Sequence, residues 1–434
     1  MQEHSLRRTL SDELHARAFH NFPGAGRFIR FVFLVGNDDS KVVAYINQFL
    51  AAKGVDRLRD DEKFCRHEMN GFALRIERHT EFLSISFVES GLKSTTGLAP
   101  HAFDEVGLKH MPFLWARNAP ASLFHAIWVE VGAKPPRGLS QGSMLEILQS
   151  RAVASNNFSD LAAQVHFAFD IDQAGFSRVV IFNREIEANR MGRVVQRVVE
   201  IETYRLLALL GLATVKGFSA RLGAIEELVS NLTNDLAEQI KLPDGQVQAL
   251  LSILSAQAAD IEDIHSKTSY RLAATTAYLN ILNARLERMA MTRLSGFQGV
   301  RGFLDRRMAP AMQSCSAFSE RLASLSRRIS RAGELLRTQI ELIIQRQNRN
   351  LLQSMNDRAK QQLRLQQTVE RLSIAAVTYY GVGLVGYLAN SLPIDEWGLS
   401  LSYIKAGAVP IIAFLVWLAI RQVKDAIVLD KVND

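Results

Sequence analysis

Two apolar stretches near the C-terminus constrain the fold of this chain more than any other feature. Residues 372–392 contain Asn390 as their one strongly polar side chain, and residues 402–421 are interrupted by Lys405 and Pro410. About 20 predominantly apolar residues suffice to cross the hydrocarbon core of a bilayer, and Lys405 lies near an end from which its amino group can reach the headgroups. The sequence therefore predicts a hairpin of two transmembrane helices, joined by a loop over residues 393–401.

The charges beside these stretches predict their orientation. Basic residues lie before the first stretch and after the second: Arg349, Arg358, Lys360, Arg364, Arg371, Arg421, Lys424 and Lys431. The connecting loop carries two charged residues, Asp395 and Glu396, and both are acidic. Because cytoplasmic flanks of membrane helices are enriched in Lys and Arg, we expect both termini, including the tail 422–434, in the cytoplasm. The polar N-terminal segment, which lacks an apolar signal sequence, agrees with this expectation.

The basic composition has two interpretations. A net charge of +7 suits either nucleic acid or an anionic membrane surface. The membrane-proximal arginines account for part of this charge, because they would face anionic lipid headgroups. We therefore predict a lipid bilayer as partner and no nucleic acid.

Residues 1–189 are expected to form an α/β or α+β domain. About six strand candidates occur there, with one early helix that begins at Asp39 or Ser40 and ends at Gly54. Apolar and polar residues alternate in "RIERH" and "LSISF", which puts every second side chain on one face of a sheet. Residues 163–171 and 176–185 flank "DQAG", a plausible hairpin turn. These patterns predict a mixed or mostly antiparallel sheet in a cytoplasmic domain.

Long helices follow this domain. Residues 190–309 show apolar residues at helical spacing, and only the tolerable Gly333 interrupts residues 310–371 after Pro310. A helix of about 60 residues spans about 90 Å. We expect residues 310–371 to form a stalk, or part of a coiled assembly, that leads into the first membrane helix.

The chain resembles a bacterial family of membrane-anchored proteins that is catalogued as a domain of unknown function. The resemblance is carried by "LRRTLSDELHARAF" at the start, by "FLDRRMAPAMQSC" over residues 303–315, and by the stalk with the first apolar stretch. It covers essentially the whole chain and brings no established reaction. It implies a protein of the bacterial inner membrane.

The layout is also similar to that of CorA-type divalent cation channels, which are pentamers. Their first membrane helix ends in Tyr-Gly-Met-Asn, whereas this one ends in "YLAN", so that Tyr387 and Asn390 coincide but Leu388 and Ala389 differ. The resemblance is one of architecture. It implies a homo-oligomer, a pentamer by analogy, without implying magnesium selectivity.

Small and polar residues in the first apolar stretch are the candidate site. Gly381, Gly383 and Gly386 allow neighbouring helices to approach closely, either around a multi-subunit pore or within one hairpin. Thr378 either faces a lumen or bonds the carbonyl four residues earlier. Asn390 either caps the helix end or lines a water-filled mouth.

Charged residues outside the stretch offer two further candidates. Asp395 and Glu396 would raise the local cation concentration or serve as a solubilising surface. Glu13, His15 and Arg17 lie close together near the N-terminus, where we expect a packed arm held by ion pairs rather than a catalytic site.

No motif nominates an enzyme. Nucleotide-binding glycine loops and the serine-nucleophile elbow do not occur, and Cys65 and Cys315 have no partners at metal-ligand spacing. We predict no enzymatic activity and no resident cofactor, and only a divalent cation as transported or regulatory ligand. Two main hypotheses follow: an oligomeric CorA-like membrane protein that conducts or senses a cation, and a non-conducting membrane-anchored scaffold whose cytoplasmic domain binds a protein or lipid partner. A cytoplasmic enzyme tethered to the membrane is a distant third, which a bound cofactor or a cleft of convergent polar groups would indicate.

Overall fold

The computed structural model describes residues 20–36, 38–59, 62–158, 162–238, 244–391 and 401–430, together with Arg7. The chain divides into two compact units. One contains Met1–Ile240 and Ser252–Gly333, and the other contains Lys241–Leu251 and Glu334–Asp434.

The first unit is built on a nine-stranded sheet whose strand order is β2-β3-β4-β1-β5-β8-β7-β6-β9. The strands are β1 (Ala25–Leu34), β2 (Phe64–Glu68), β3 (Ala73–Arg78), β4 (Phe82–Leu92), β5 (Ser122–Gly132), β6 (Ala154–Phe158), β7 (Ala163–Phe167), β8 (Ser177–Asn183) and β9 (Thr292–Arg293). All neighbours pair antiparallel except β5 and β8, which are parallel. The prediction of a mixed or mostly antiparallel sheet is confirmed.

Sequence patterns missed three of the strands. β2 ("FCRHE") and β6 ("ASNNF") lack a clear apolar alternation. β9 contains only two residues and lies more than a hundred residues after β8, where it pairs with Asn156 and Asn157. Long-range pairing, which no local pattern reports, therefore completes this edge of the sheet.

Three short helices cover one face of the sheet: α1 (Ser40–Ala52), α2 (Phe113–Arg117) and α3 (Gln141–Leu148). The core beneath α1 and α2 contains Ile29, Phe31 and Phe33 from alternate positions of β1. A smaller core beneath α3 joins Met144 and Leu148 to Val180 and Phe182 of β8. Odd-numbered positions of β1 therefore point to this side.

Long helices cover the opposite face. These are α4 (Ala188–Glu238), α5 (Asp244–Arg288) and the start of α6 (Val300–Asn390). Their core joins Phe28 and Val32 of β1 to Val195 and Val198 of α4 and to Phe303 of α6. Close helix approach is visible at Gly211 of α4, where an added Cβ would lie 2.3 Å from Thr275 Oγ1 of α5.

Helix α6 is a single helix of 91 residues that contains Pro310. It begins ten residues before Pro310, at Val300, whose N–H donates to Asn156 Oδ1 of β6 at 2.7 Å. From Leu304 to Ala332 its buried apolar side chains recur at alternating steps of four and three residues: Leu304, Met308, Ala311, Cys315, Phe318, Leu322, Leu325, Ile329 and Ala332. Residues 310–371, expected to form one long helix, lie within α6.

The second unit contains the rest of α6 and helix α7 (Leu401–Asp430), which has Pro410 inside it. The fold as a whole is the mixed α+β class with long helices and two apolar C-terminal helices that the sequence predicts.

Candidate functional site

Two helices contain stretches that are long and apolar enough to cross a membrane. They are α6 and the segment Leu401–Gln422 of α7, and only 11% and 6% of the respective stretches are buried. A core helix of a soluble domain would be mostly buried, because its apolar surface needs covering. The exposure of both stretches therefore indicates association with a membrane.

Two of the three glycines in the first stretch pack against α7. A Cβ added at Gly381 would lie 2.8 Å from Ile412 Cγ2, and one added at Gly386 would lie 2.5 Å from Lys405 Cε. Cβ atoms do not approach so closely, so Gly381 allows α6 and α7 to lie together at Ile412, whereas at Gly386 the contact is with the flexible end of the Lys405 side chain. Lys405 thus rests its aliphatic chain over Gly386.

Thr378 and Ala389 lie on the same face of α6 as these glycines, and both are at least 90% buried. Among the residues that the structure describes, the Thr378 hydroxyl has no hydrogen-bond partner. The expected bond to the carbonyl four residues earlier is therefore not formed. Thr378 lies on the packing face of the hairpin.

The opposite face of α6 carries Gly383, Tyr387 and Asn390. A Cβ added at Gly383 would meet nothing within 4 Å, Tyr387 is 81% exposed, and Asn390 is also exposed. Positions 383, 387 and 390 are four and three residues apart, a spacing that places them on one side of a helix. The six candidates thus divide between two faces, one covered by α7 and one open.

The remaining sequence candidates cannot be located. Asp395 and Glu396 of the loop, and Glu13, His15 and Arg17 near the N-terminus, lie outside the described residues. His20, which is described, contacts Ser90 Oγ at 3.4 Å.

Sequence reasoning missed a set of buried charges between the sheet and α4. Glu77 Oε1 accepts hydrogen bonds from Arg30 at 3.0 Å and from Arg75 at 2.9 Å, and all three side chains are almost fully buried. Burial opposes ionisation of Glu77, but the two guanidiniums and His79 outweigh it and hold the pKa of the carboxyl below its usual range. Arg30 also donates to Ser86 Oγ at 3.0 Å.

A second buried group joins β5 to α4. Glu202 is fully buried, accepts from Arg205 at 2.7 Å and lies 3.5 Å from His125 Nε2. Burial lowers the pKa of His125, whereas Arg205 outweighs burial and lowers the pKa of Glu202. At neutral pH the group therefore contains a neutral imidazole and one ion pair.

A third group lies on the other face of the sheet. Glu130 Oε1 accepts from Trp128 Nε1 at 2.7 Å and lies 3.5 Å from Arg27 Nε. Arg27 also contacts Glu89 at 3.4 Å and donates to the carbonyl oxygen of Gly107 at 2.6 Å. Burial raises the pKa of Glu130 to about 7 despite these partners. Glu130 thus exchanges its proton near neutral pH.

A fourth contact connects the long helices to the sheet. Glu81, in the turn between β3 and β4, accepts from the Tyr278 hydroxyl at 2.6 Å and from Arg271 at 3.0 Å. Both donors lie on α5. The turn between β3 and β4 therefore anchors this helix to the sheet.

A groove of about 570 Å³ between α5 and α6 is lined by residues that include His265, Thr268, Leu272, Leu322 and Arg327. None of the three buried charge groups contributes to that lining. No set of three or more His, Cys, Asp or Glu side chains that could hold a metal ion occurs among the described residues.

The match to a known protein family covers nearly the whole chain. A family model described as "Protein of unknown function (DUF3422)" matches residues 2–427. The chain belongs to the DUF3422 family. A search of the curated proteins finds no match for it. For this DUF3422 protein the family therefore brings no reaction.

The chemistry available to this DUF3422 protein is that of paired, buried charges and of exposed apolar helices. Each charge group combines at least one guanidinium with a carboxylate, and removing one partner of such a buried pair leaves the other charge uncompensated. The open face of α6 has the composition of a surface that meets lipid or another helix.

Proposed function

We propose that this chain is an integral protein of the bacterial inner membrane, with both ends in the cytoplasm. The observation that carries the proposal is the continuity of α6, which begins at the sheet with the Val300 to Asn156 bond and ends at Asn390 in an exposed apolar stretch. The basic residues on the cytoplasmic flanks and the acidic loop support the orientation.

Of the two functions expected from the sequence, the packing of the hairpin favours a membrane-anchored scaffold that does not conduct. Gly381 and Gly386 accommodate Ile412 and Lys405, and Thr378 is buried on the same face. These residues are therefore engaged within one chain rather than available to line a pore. The hairpin then serves to hold the sheet domain at the membrane.

The scaffold would bind a protein or lipid partner on the cytoplasmic side. Arg349, Arg358, Lys360, Arg364 and Arg371 are exposed on the part of α6 that precedes the apolar stretch. Each basic residue near an anionic membrane surface contributes about 1 kcal/mol of attraction. Anionic lipid is accordingly the first partner to test.

Cation passage of the CorA-like kind is the second candidate, and the open face of α6 favours it. Gly383 and Asn390 are seven residues apart on that face. If several copies of the chain surround a central pore with the open face of α6 turned inward, the amide side chain of Asn390 lies at the mouth of that pore. A divalent or monovalent cation would then be the transported ligand.

Ion flux and span replacement separate the two functions. The purified chain is reconstituted in liposomes and cation entry is followed with a trapped indicator, with Asn390→Ala as the matched variant. The scaffold predicts no flux above empty liposomes, and predicts that replacing residues 372–391 and 402–420 by an unrelated hairpin restores a deletion strain. Flux that Asn390→Ala alters, together with failure of the replacement, would establish the channel instead.

A further inference from the structure

A second apolar heptad runs along the part of α6 that lies in the second unit. Its apolar members are Ile344, Leu351, Met355, Leu365, Val369 and Leu372, and they are 49–67% exposed. We refer to these six residues as the exposed seam. The seven-residue repeat, written a to g, places Met355 and Val369 at a and the other four at d.

The exposed seam resembles the buried heptad of the same helix. Between Leu304 and Ala332 the helix uses steps of four and three residues to bury side chains within the first unit. Between Ile344 and Leu372 the same steps recur, but the side chains are exposed. A sustained repeat of this kind is typical of a helix that packs on another helix.

Charge is almost excluded from the neighbourhood of the exposed seam. The e and g positions over this segment hold only Gln, Ser, Thr, Ala and Leu, for example Gln361 and Gln366. With the exception of Arg358 at d, the charged side chains lie at b, c and f: Arg346, Arg349, Asp357, Lys360, Arg364, Glu370 and Arg371. An ordinary solvated helix has no reason to segregate charge in this way.

Uncharged flanks fit an identical partner. In a parallel pair of helices, e and g residues of one chain face g and e residues of the other, so like charges there would repel between identical copies. Glutamine avoids that repulsion because its amide both donates and accepts hydrogen bonds. The uncharged e and g positions of one copy are therefore compatible with the same positions of a second copy.

The proposed membrane hairpin fixes the orientation of such a partner. This step rests on the proposed function: copies inserted in one membrane with the same topology have parallel stalks at the same height. The a positions also continue into the apolar stretch, where Ala376, Gly383 and Asn390 are exposed at seven-residue spacing. The a positions of the exposed seam thus lead to the open face of the first membrane helix, whereas its d positions lead to Gly386, which Lys405 of α7 covers.

We propose that the exposed seam binds the same seam of a second copy of this chain, in a parallel, in-register coiled coil. Asn348 and Gln362 at a, and Arg358 at d, interrupt the seam. Polar residues at such positions weaken association and select the register, so the interface holds copies in one alignment rather than maximising affinity.

Disulfide cross-linking tests the alignment. In a Cys65→Ala, Cys315→Ala background, Leu351→Cys and Leu365→Cys place a thiol at d, whereas Gln353→Cys and Gln367→Cys place it at f on the outer face. Isolated membranes are treated with a mild oxidant. We expect a covalent dimer with either d variant and its loss with either f variant. Equal cross-linking at d and f, or none at d, would overturn the proposal.

A second measurement tests the association of two copies without introducing a cysteine. Leu365 is exposed in the chain, so Leu365→Asp leaves the fold of one copy intact, and Gln367→Asp is its matched control. In mild detergent we expect Leu365→Asp to shift the particle to the mass of a monomer and Gln367→Asp to retain the parent mass. Identical masses for both variants and the parent would contradict the proposal.

Failure of the proposed function is recognised separately. Retention of the chain in membranes after alkaline carbonate extraction is measured in the same samples. A retained chain without d-specific cross-links refutes the parallel seam alone, whereas a released chain without them refutes the membrane anchor as well.

Discussion

Arg30 of β1 donates a hydrogen bond to Glu77 of β3 at 3.0 Å, and both side chains are shielded from water by α4. Arg75 donates to the same carboxylate oxygen. Two guanidiniums therefore depend on one carboxylate in the interface between the sheet and the long helices.

Replacement of Glu77 by glutamine should destabilise the chain strongly, because it leaves two buried guanidiniums without their counter-ion. Removing one partner of a buried pair costs about 3–5 kcal/mol. The measurement is chemical unfolding of the full chain in mild detergent. Glu68→Gln is the control, since Glu68 pairs with Arg66 at the surface and such pairs contribute about 1 kcal/mol or less. Equal effects of the two substitutions would contradict this account.

The contribution of Glu77 should disappear at low pH. Because the folded-state pKa of Glu77 is held below its ordinary value of 4.5, the folded state binds fewer protons than the unfolded state as the pH falls below that value. Its contribution is complete at higher pH and is lost on acidification. The difference in stability between the parent and Glu77→Gln should therefore shrink below pH 4.5.

Glu130 should produce the opposite pH dependence. Burial raises its pKa from 4.5 to about 7, so between these values the folded state keeps a proton that the unfolded state releases, and stability falls as the pH rises. Glu130→Gln, which mimics the protonated carboxyl, should gain stability relative to the parent between pH 4.5 and 7. Unfolding measured at several pH values checks this. A constant difference across that range would rule out a raised pKa.

Tyr278→Phe should loosen the anchor between α5 and the turn at Glu81. The lost hydrogen bond goes to a carboxylate, and such bonds contribute about 1.5–3 kcal/mol. Tyr45→Phe is the matched control, because its hydroxyl donates to the neutral carbonyl oxygen of Trp115 at 3.0 Å and should cost about 0.5–1.5 kcal/mol. Unfolding of both variants should rank them in this order, and the reverse order would refute the anchor.

Glycine substitutions should distinguish the two faces of α6. Gly381→Leu forces side-chain atoms into Ile412, and overpacking of this kind costs about 1–3 kcal/mol. A Cβ at position 383 meets nothing within 4 Å, so Gly383→Leu should leave the stability of the hairpin unchanged. Thermal stability in detergent compares the two. Equal losses would show that the hairpin packs through a different face.

The fold class could be predicted from the sequence because strands and long helices each have a local pattern of apolar residues. Alternation in β3 and β4 and the unbroken helical spacing of α6 report strands and helices directly. The sequence did not reveal β9 or the start of α6 at Val300, because both depend on Asn156, which lies more than 130 residues earlier in the chain. Contacts across such separations leave no local pattern.

The sequence identified the residues of the candidate site but not how neighbouring helices pack on them. Spacing identified Gly381, Gly383 and Gly386, yet only the position of α7 shows which of them it covers. The alternation in "RIERH" predicted that Arg75 and Glu77 share a face, but it did not indicate that α4 buries that face. A helix about 120 residues later supplies the cover, and so the buried charges were not predicted.

Insertion of α6 and α7 as a membrane hairpin is the claim on which the account depends. It is tested most directly by labelling single cysteines with a membrane-impermeant maleimide in intact spheroplasts, using Ser391→Cys and Gln422→Cys in the Cys65→Ala, Cys315→Ala background. We predict labelling of Ser391→Cys in intact spheroplasts and of Gln422→Cys only after lysis. Labelling of Gln422→Cys with protection of Ser391→Cys, or a chain that stays dispersed without detergent, would contradict it.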